Sequence, residues 1–217
     1  MPSQQSLVSM PDMAEKEIFG RIAKFYDERV DRYGNDPRAC DYGRAESQLS
    51  KFKVLSEVGD LTGKHVLDVG CGFADYAAYL GKRFKRVKYM GIDISQRMID
   101  EAKRLRPDLE LRVLNILDDS FNEPFDVVTS NGIYYLLGEK GPELMRRIIR
   151  RMYALARNAV AFNSLSSYAP RKEPNEFYPD PLETFQFCRE ITPWVTLRHD
   201  YLPHDFTIYM YHEQPRL

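Results

Sequence analysis

The 217-residue chain is long enough to bury a full core in one domain, or in one domain with an appendage, and its 43% hydrophobic and 12% aromatic content excludes disordered and fibrous classes. With 31 Lys+Arg against 32 Asp+Glu the formal net charge is −1, so no whole-molecule attraction to nucleic acid or to an anionic membrane is expected. Cys40, Cys71 and Cys188 are odd in number and form no CxxC, no apolar run reaches the roughly 18 residues of a membrane span, and the start lacks a signal-peptide pattern, so a reducing, cytoplasmic location is expected.

Residues 1–13 are polar and Pro-containing and read as a flexible tail. Over 14–60 the pattern is helical: Ile18, Ile22, Phe25 and Arg29 share one stripe, and Leu49, Phe52 and Leu55 or Val58 another, with "NDPRACDYG" as the loop between them. From 61 to 217 the rhythm changes to short apolar strands alternating with amphipathic segments. Strands are predicted at "HVLDVG", "VKYMGIDI", "LELRVLNI", "FDVVTSNG" and "NAVAFNSL", with helices near 74–84, 95–105 and 142–156. This alternation predicts a parallel sheet covered by helices on both faces. An insert over 167–192 carries four prolines and then a short amphipathic helix, and "VTLRHDYLPHDFTIYMY" reads as an antiparallel hairpin closing the sheet.

The turn after the first strand, "VLDVGCGFAD", holds Gly70 and Gly72. In a doubly wound sheet the ligand lies beyond the carboxyl ends of the strands, and glycine lets the backbone approach it. The dinucleotide fingerprint G-x-G-x-x-G fails because Asp75 stands at its last position, where it would face a pyrophosphate. Asp68, two residues before the first glycine, also suits a cation rather than a phosphate. Asp93 ends the second strand 21 residues after Gly72, where a carboxylate accepts from ribose hydroxyls. The pair favours an adenosine ligand without phosphates.

"VLDVGCGFADYAAYL", "YMGIDISQRMIDEAK" and "FDVVTSNGIYYLL", in that order, resemble the class I S-adenosylmethionine-dependent methyltransferases, in particular small stand-alone bacterial enzymes. The resemblance implies an α/β, Rossmann-like, mostly parallel seven-stranded sheet with a C-terminal antiparallel hairpin and an N-terminal helical cover. It implies S-adenosylmethionine as cofactor and S-adenosylhomocysteine as product. Asp68, Gly70 and Gly72, with Cys71 between them, would line the methionine moiety, and Asp93 would hold the ribose. Ile94 and Met98 would pack on adenine. Asn115 stands where the family commonly has an acid and would meet the adenine amino group, or else cap the strand end; Ile116 follows it. Ser130 and Asn131 would sit beside the methionine, and Tyr134 would face the sulfonium and the acceptor. Tyr33 and Gln48, with Tyr26, Tyr42 and Arg44, are candidates in the cover over the site. The family usually carries glycine where Ala74 stands.

His199, His204 and Asp205 are the clustered residues of general-base type. Adjacent residues of a regular strand point to opposite faces, which separates His204 from Asp205 and predicts no metal site. Two basic segments, residues 81–88 and 146–151, read as solvated outer helix faces. The expectation is methyl transfer to a small-molecule acceptor, oxygen or nitrogen before carbon. An RNA- or protein-directed methyltransferase and an S-adenosylmethionine-binding protein with other chemistry remain as alternatives. Nucleic-acid and membrane partners are not expected, and the oligomeric state is not legible.

Overall fold

A computed structural model describes residues 13–40, 45–118 and 120–215. The tail expected over 1–13 lies outside these residues up to Met13, which already opens a helix; Tyr42 and Arg44 lie outside them too. The helices are α1 (Met13–Tyr33), α2 (Ala45–Leu55), α3 (Asp75–Arg83), α4 (Gln96–Leu105), α5 (Gly141–Leu155) and α6 (Pro181–Ile191). The strands are β1 (His65–Val69), β2 (Lys88–Asp93), β3 (Glu110–Val113), β4 (Phe125–Asn131), β5 (Ala156–Leu165), β6 (Trp194–Leu202) and β7 (Asp205–Tyr211).

They form one seven-stranded sheet in the order β3-β2-β1-β4-β5-β7-β6, as the alternating pattern predicts. The first five strands are parallel, and β7 runs antiparallel between β5 and β6. β1 and β4 are apolar on both faces because both faces are covered. One face packs Leu67, Met90, Val128 and Phe162 against α5 and α6, and the other packs Val66, Val127 and Ala161 against α2 and α3.

Local signals set the helix starts. Ser95 caps α4, its Oγ accepting from Met98 N at 3.0 Å, and Asp180 caps α6 through Leu182 N and Glu183 N, with Pro181 in the first turn. At the sheet edges Arg112 of β3 pairs with Glu110 and Glu123, and Arg198 of β6 pairs with Glu57 and Asp200 at 2.9 and 2.8 Å. The basic run 146–151 lies on an outer face of α5, with Arg146 and Arg150 exposed, and its side chains have partners within the fold. Arg146 and Arg150 lie over the Phe187 ring, Arg147 pairs with the buried Glu15 of α1, and Arg151 donates to the carbonyls of Ile116 and Phe121.

α1 crosses the carboxyl edge of the sheet. Its start is tied to α5 through Glu15 and Arg147. Near its end, Asp27 Oδ1 accepts from Ser95 Oγ at 2.6 Å and from Arg97 N at 3.2 Å.

The cavity at the carboxyl edge

Parallel strands bring their carboxyl ends to one edge, and β7, running the other way, brings its first residue there. A cavity follows that edge, bordered in sheet order by Asp93 (β2), Asp68 (β1), Asn131 (β4), Ser164 and Leu165 (β5) and Asp205 (β7). α1 and α2 roof it with Phe19, Ile22, Tyr26, Gln48, Lys51 and Phe52.

The glycine turn is built for close approach. Gly70 and Gly72 have φ of +71° and +52°, a region that L side chains rarely adopt. A Cβ on Gly70 would stand 2.3 Å from Ile133 Cγ2, and one on Gly72 would stand 3.3 Å from Cys40 Sγ. Both glycines therefore admit neighbouring protein: the loop after β4 in one case, the cover in the other. Ala74, where the family usually carries glycine, is also left-handed, at φ +57°. Gly70 N and Cys71 N both donate to Ile92 O, which holds the turn against β2.

Asp93 links the two motifs. Its Oδ2 accepts from Gly72 N at 3.0 Å and its Oδ1 from Ser95 N at 2.9 Å, so the carboxylate fixes both the turn and the start of α4. Asp68 is 3% exposed; Tyr89 donates to its Oδ2 at 2.7 Å and Thr129 to its Oδ1 at 3.3 Å. Burial raises both carboxyls above the usual carboxylate range, Asp68 to about 7, against the pull of these donors. Among the described residues the partners of these two carboxylates are hydroxyls and backbone amides. Burial likewise pushes the Cys40 thiol up to about 12 and the Cys71 thiol far above its ordinary value, so neither is a nucleophile.

Cys71, Ile94, Met98, Asn115, Ile116, Asn131 and Gln48 border the same cavity. Asn115 Oδ1 accepts from Leu117 N at 3.0 Å, the strand-end capping role, while the residue remains on the cavity wall. Asn131 Oδ1 accepts from Asn163 Nδ2 at 2.6 Å, and Asn163 Oδ1 accepts from Gly132 N at 2.7 Å, which fixes both amides.

Five expected site residues are placed otherwise. Ser130 precedes Asn131 on β4 and so faces the opposite side of the sheet, fully buried. Tyr134 touches the cavity wall, but its hydroxyl lies in the core beside Ser130 Oγ at 3.3 Å and Met152 Sδ at 3.5 Å, and burial raises its phenol. Its neighbour Tyr135 instead meets the roof, its hydroxyl 2.9 Å from that of Tyr26. Tyr33 lies about 10 Å along α1 beyond Tyr26, among the guanidiniums of Arg29, Arg32 and Arg38. His199 sits on the outer strand β6, its Nε2 2.8 Å from Ser166 Oγ, and stays outside the cavity. His204 also stays outside, but it occupies a turn rather than a regular strand, and its Nε2 reaches Asp205 Oδ2 at 3.2 Å. The expected opposite-face arrangement of that pair therefore fails. Among the described residues no cluster of metal-ligating side chains occurs.

The sequence reading passed over Lys51, Tyr76 and Ser164. The signal for Lys51 was present: it shares the inward stripe of α2 with Gln48, Phe52 and Leu55, while Leu49, expected on that stripe, is 54% exposed.

Comparison with known proteins agrees with this geometry. A family model described as a methyltransferase domain matches residues 66–157. A "putative methyltransferase" of Mycobacterium tuberculosis is 29% identical over 148 residues, 65% of this chain and 89% of that protein. The trans-aconitate 2-methyltransferase of Acidovorax ebreus is 26% identical over 112 residues, 50% of this chain but only 43% of the enzyme. Among solved structures, a DhpI–SAH complex superposes with a TM-score of 0.66 at 15% identity, covering 92% of this chain and 98% of that one. The SAM-bound magnesium protoporphyrin IX methyltransferase of Synechocystis PCC 6803 gives 0.65 at 12% identity, covering 94% and 100%. The domain match spans the glycine turn, Asp93 and strands β1 to β4, and these likenesses together support an S-adenosylmethionine-dependent methyltransferase.

Proposed function

We propose that this methyltransferase acts on a small-molecule acceptor, at oxygen or nitrogen rather than carbon. The observation that carries the reading is the cavity along the carboxyl edge, with buried carboxylates at the β2 and β1 positions and a further polar end at β5 and β7. Asp93 would hold the ribose hydroxyls with its remaining lone pairs, Met98, Ile94 and Ile116 would enclose the adenine, and Asp68 would face the ammonium. Gln48 and Asn131 complete the wall at the methionine end. When bound, the cofactor supplies an electrophilic methyl whose leaving group is neutral, so the chain's own task is to position the acceptor and exclude water. Tyr26 and Tyr135, joined across the roof, supply that exclusion.

The engaged state of Arg146, Arg147, Arg150 and Arg151 supports a small acceptor over RNA, because these side chains already serve the fold. Calorimetry with S-adenosylhomocysteine and with NAD tests the cofactor site. S-adenosylhomocysteine should bind and NAD should give no heat. Asp93→Ala should weaken binding by about 1.5 to 3 kcal/mol, more than tenfold, with Asp93→Asn as the variant that keeps the shape of the turn. Tighter binding of NAD, or unchanged affinity in a folded Asp93→Ala protein, would remove the assignment.

A further inference from the structure

The wall of the cavity holds polar groups that the fold itself leaves unused. Tyr76 and Ser164 are 2% and 1% exposed, both border the cavity, and among the described residues neither hydroxyl has a hydrogen-bond partner. A buried hydroxyl without a partner destabilises a fold, and its retention on a cavity wall points to a ligand that completes it. At the β7 end of the same cavity the Asp205 carboxylate is 1% exposed. Lys51 Nζ and His204 Nε2 approach its Oδ2 at 3.1 and 3.2 Å, neither with hydrogen-bond geometry. The pairing of Leu165 with Asp205 fixes this carboxylate at the carboxyl end of β5. In sheet order it lies beyond Asp68 on the side away from Asp93, where an acceptor would approach a methyl held between them.

Resting on the methyltransferase reading above, we propose that this end of the cavity is a subsite for a phenolic hydroxyl, held between Lys51 and Asp205, with Tyr76 and Ser164 binding a second polar atom of the same molecule. The choice of oxygen follows from the ammonium. An amine has one lone pair, and a Lys51 hydrogen bond to it would occupy the pair that must attack; a hydroxyl oxygen has two and keeps one free. A carboxylate acceptor is disfavoured by the neighbouring Asp205 charge. A carboxylate base beside an ammonium suits an O–H near the phenolic pKa of about 10 better than an aliphatic alcohol, which is far less acidic. Phe52, Tyr26 and Tyr135 supply the aromatic walls for a ring.

The phenolic O–H bond breaks, its electron pair stays on oxygen, and the proton passes to Asp205. The oxygen's free pair forms the bond to the methyl carbon while the carbon–sulfur pair returns to sulfur, giving an ether, S-adenosylhomocysteine and a proton. His204, with 41% of its side chain exposed, carries that proton from Asp205 to solvent.

The test uses three probes of one shape, each with a second polar atom, 4-(hydroxymethyl)phenol, 4-(hydroxymethyl)aniline and 4-(hydroxymethyl)benzoate, titrated by ligand-observed NMR into the protein saturated with S-adenosylhomocysteine. 4-(Hydroxymethyl)phenol should bind saturably and at least tenfold tighter than the other two. Tyr76→Phe and Ser164→Ala should each weaken it at least threefold, with unchanged S-adenosylhomocysteine affinity and a Tm no lower than the parent's, since each removes a hydroxyl without a partner. Lys51→Met should abolish binding; if it fails to fold, the two hydroxyl variants still decide. Absence of saturable 4-(hydroxymethyl)phenol binding, equal binding of the amine or the acid, or intact binding in both hydroxyl variants overturns the subsite while leaving the cofactor site standing. Failure of S-adenosylhomocysteine to bind in the parallel calorimetry overturns the methyltransferase reading itself and the subsite with it.

Discussion

Asp68 couples protonation to ligand binding. Its carboxyl is held near 7 in the ligand-free fold, chiefly by burial, with the negative Asp93 adding to the rise. The folded value lies above the unfolded 3.8, so the folded chain binds this proton more tightly. The contribution of Asp68 to stability therefore falls as pH rises from about 4 to about 7. An ammonium ligand has the opposite preference, since it favours the carboxylate. S-adenosylhomocysteine affinity should be level above pH 7 and decline below it by up to about tenfold per pH unit, with proton release on binding. Calorimetry between pH 5.5 and 8 in two buffers of different ionisation heat measures both quantities, and Asp68→Asn should flatten the profile. A level profile in the parent protein would mean that the ammonium is held elsewhere. The residues misplaced by sequence reading erred by small steps with physical causes. Ser130 and Asn131 differ by one position on a strand, and that step exchanges the core for the cavity.

Among the elements, the strands and the helices after β1 were legible because apolar runs and amphipathic periods reflect burial, and burial is what the sheet imposes. α2 was misread for the complementary reason. Its inward face borders a cavity, so Gln48 and Lys51 point in and Leu49 points out, and a rule that sends apolar residues inward fails where the interior is a binding site. The position of His199 was hidden by topology. Two strands joined by a turn do not reveal which of them pairs with β5, and β7 took that place. α1 carries a prediction of its own. Asp27 receives the Ser95 hydroxyl, which is itself the cap of α4, so one carboxylate joins the roof to the helix after the ribose carboxylate. Asp27→Ala should cost about 2 kcal/mol, the range of a hydrogen bond to a charged group, and speed amide exchange along α1. S-adenosylhomocysteine should slow exchange in the parent's α1 and less so in the variant. Identical α1 exchange in both proteins would leave the roof held by Ile22 and its apolar neighbours alone.

For the whole molecule, one continuous sheet organises two separate demands. Its carboxyl edge gathers the ligand-facing groups of five strands, and its faces carry the apolar burial that holds them there. A sheet of this kind also ends in two open strands, each with a row of unpaired amides and carbonyls that invites another copy to add on. The ion pairs of Arg112 and Arg198 acquire a second meaning from this. Arg112 stands on β3 between Glu110 and Glu123, and Arg198 on β6 between Glu57 and Asp200, so an approaching strand would have to strip water from a charged cluster at either border. Arg198→Val would remove that obstacle from β6 and leave two acids without their partner. Light scattering of concentrated protein should rise in this variant relative to the parent, and rise further in salt that screens the remaining acids. Unchanged scattering would show that the pairing of Arg198 serves only the anchoring of Glu57. On the first outcome, the arginines at the two borders keep a sheet of seven strands from becoming one of fourteen.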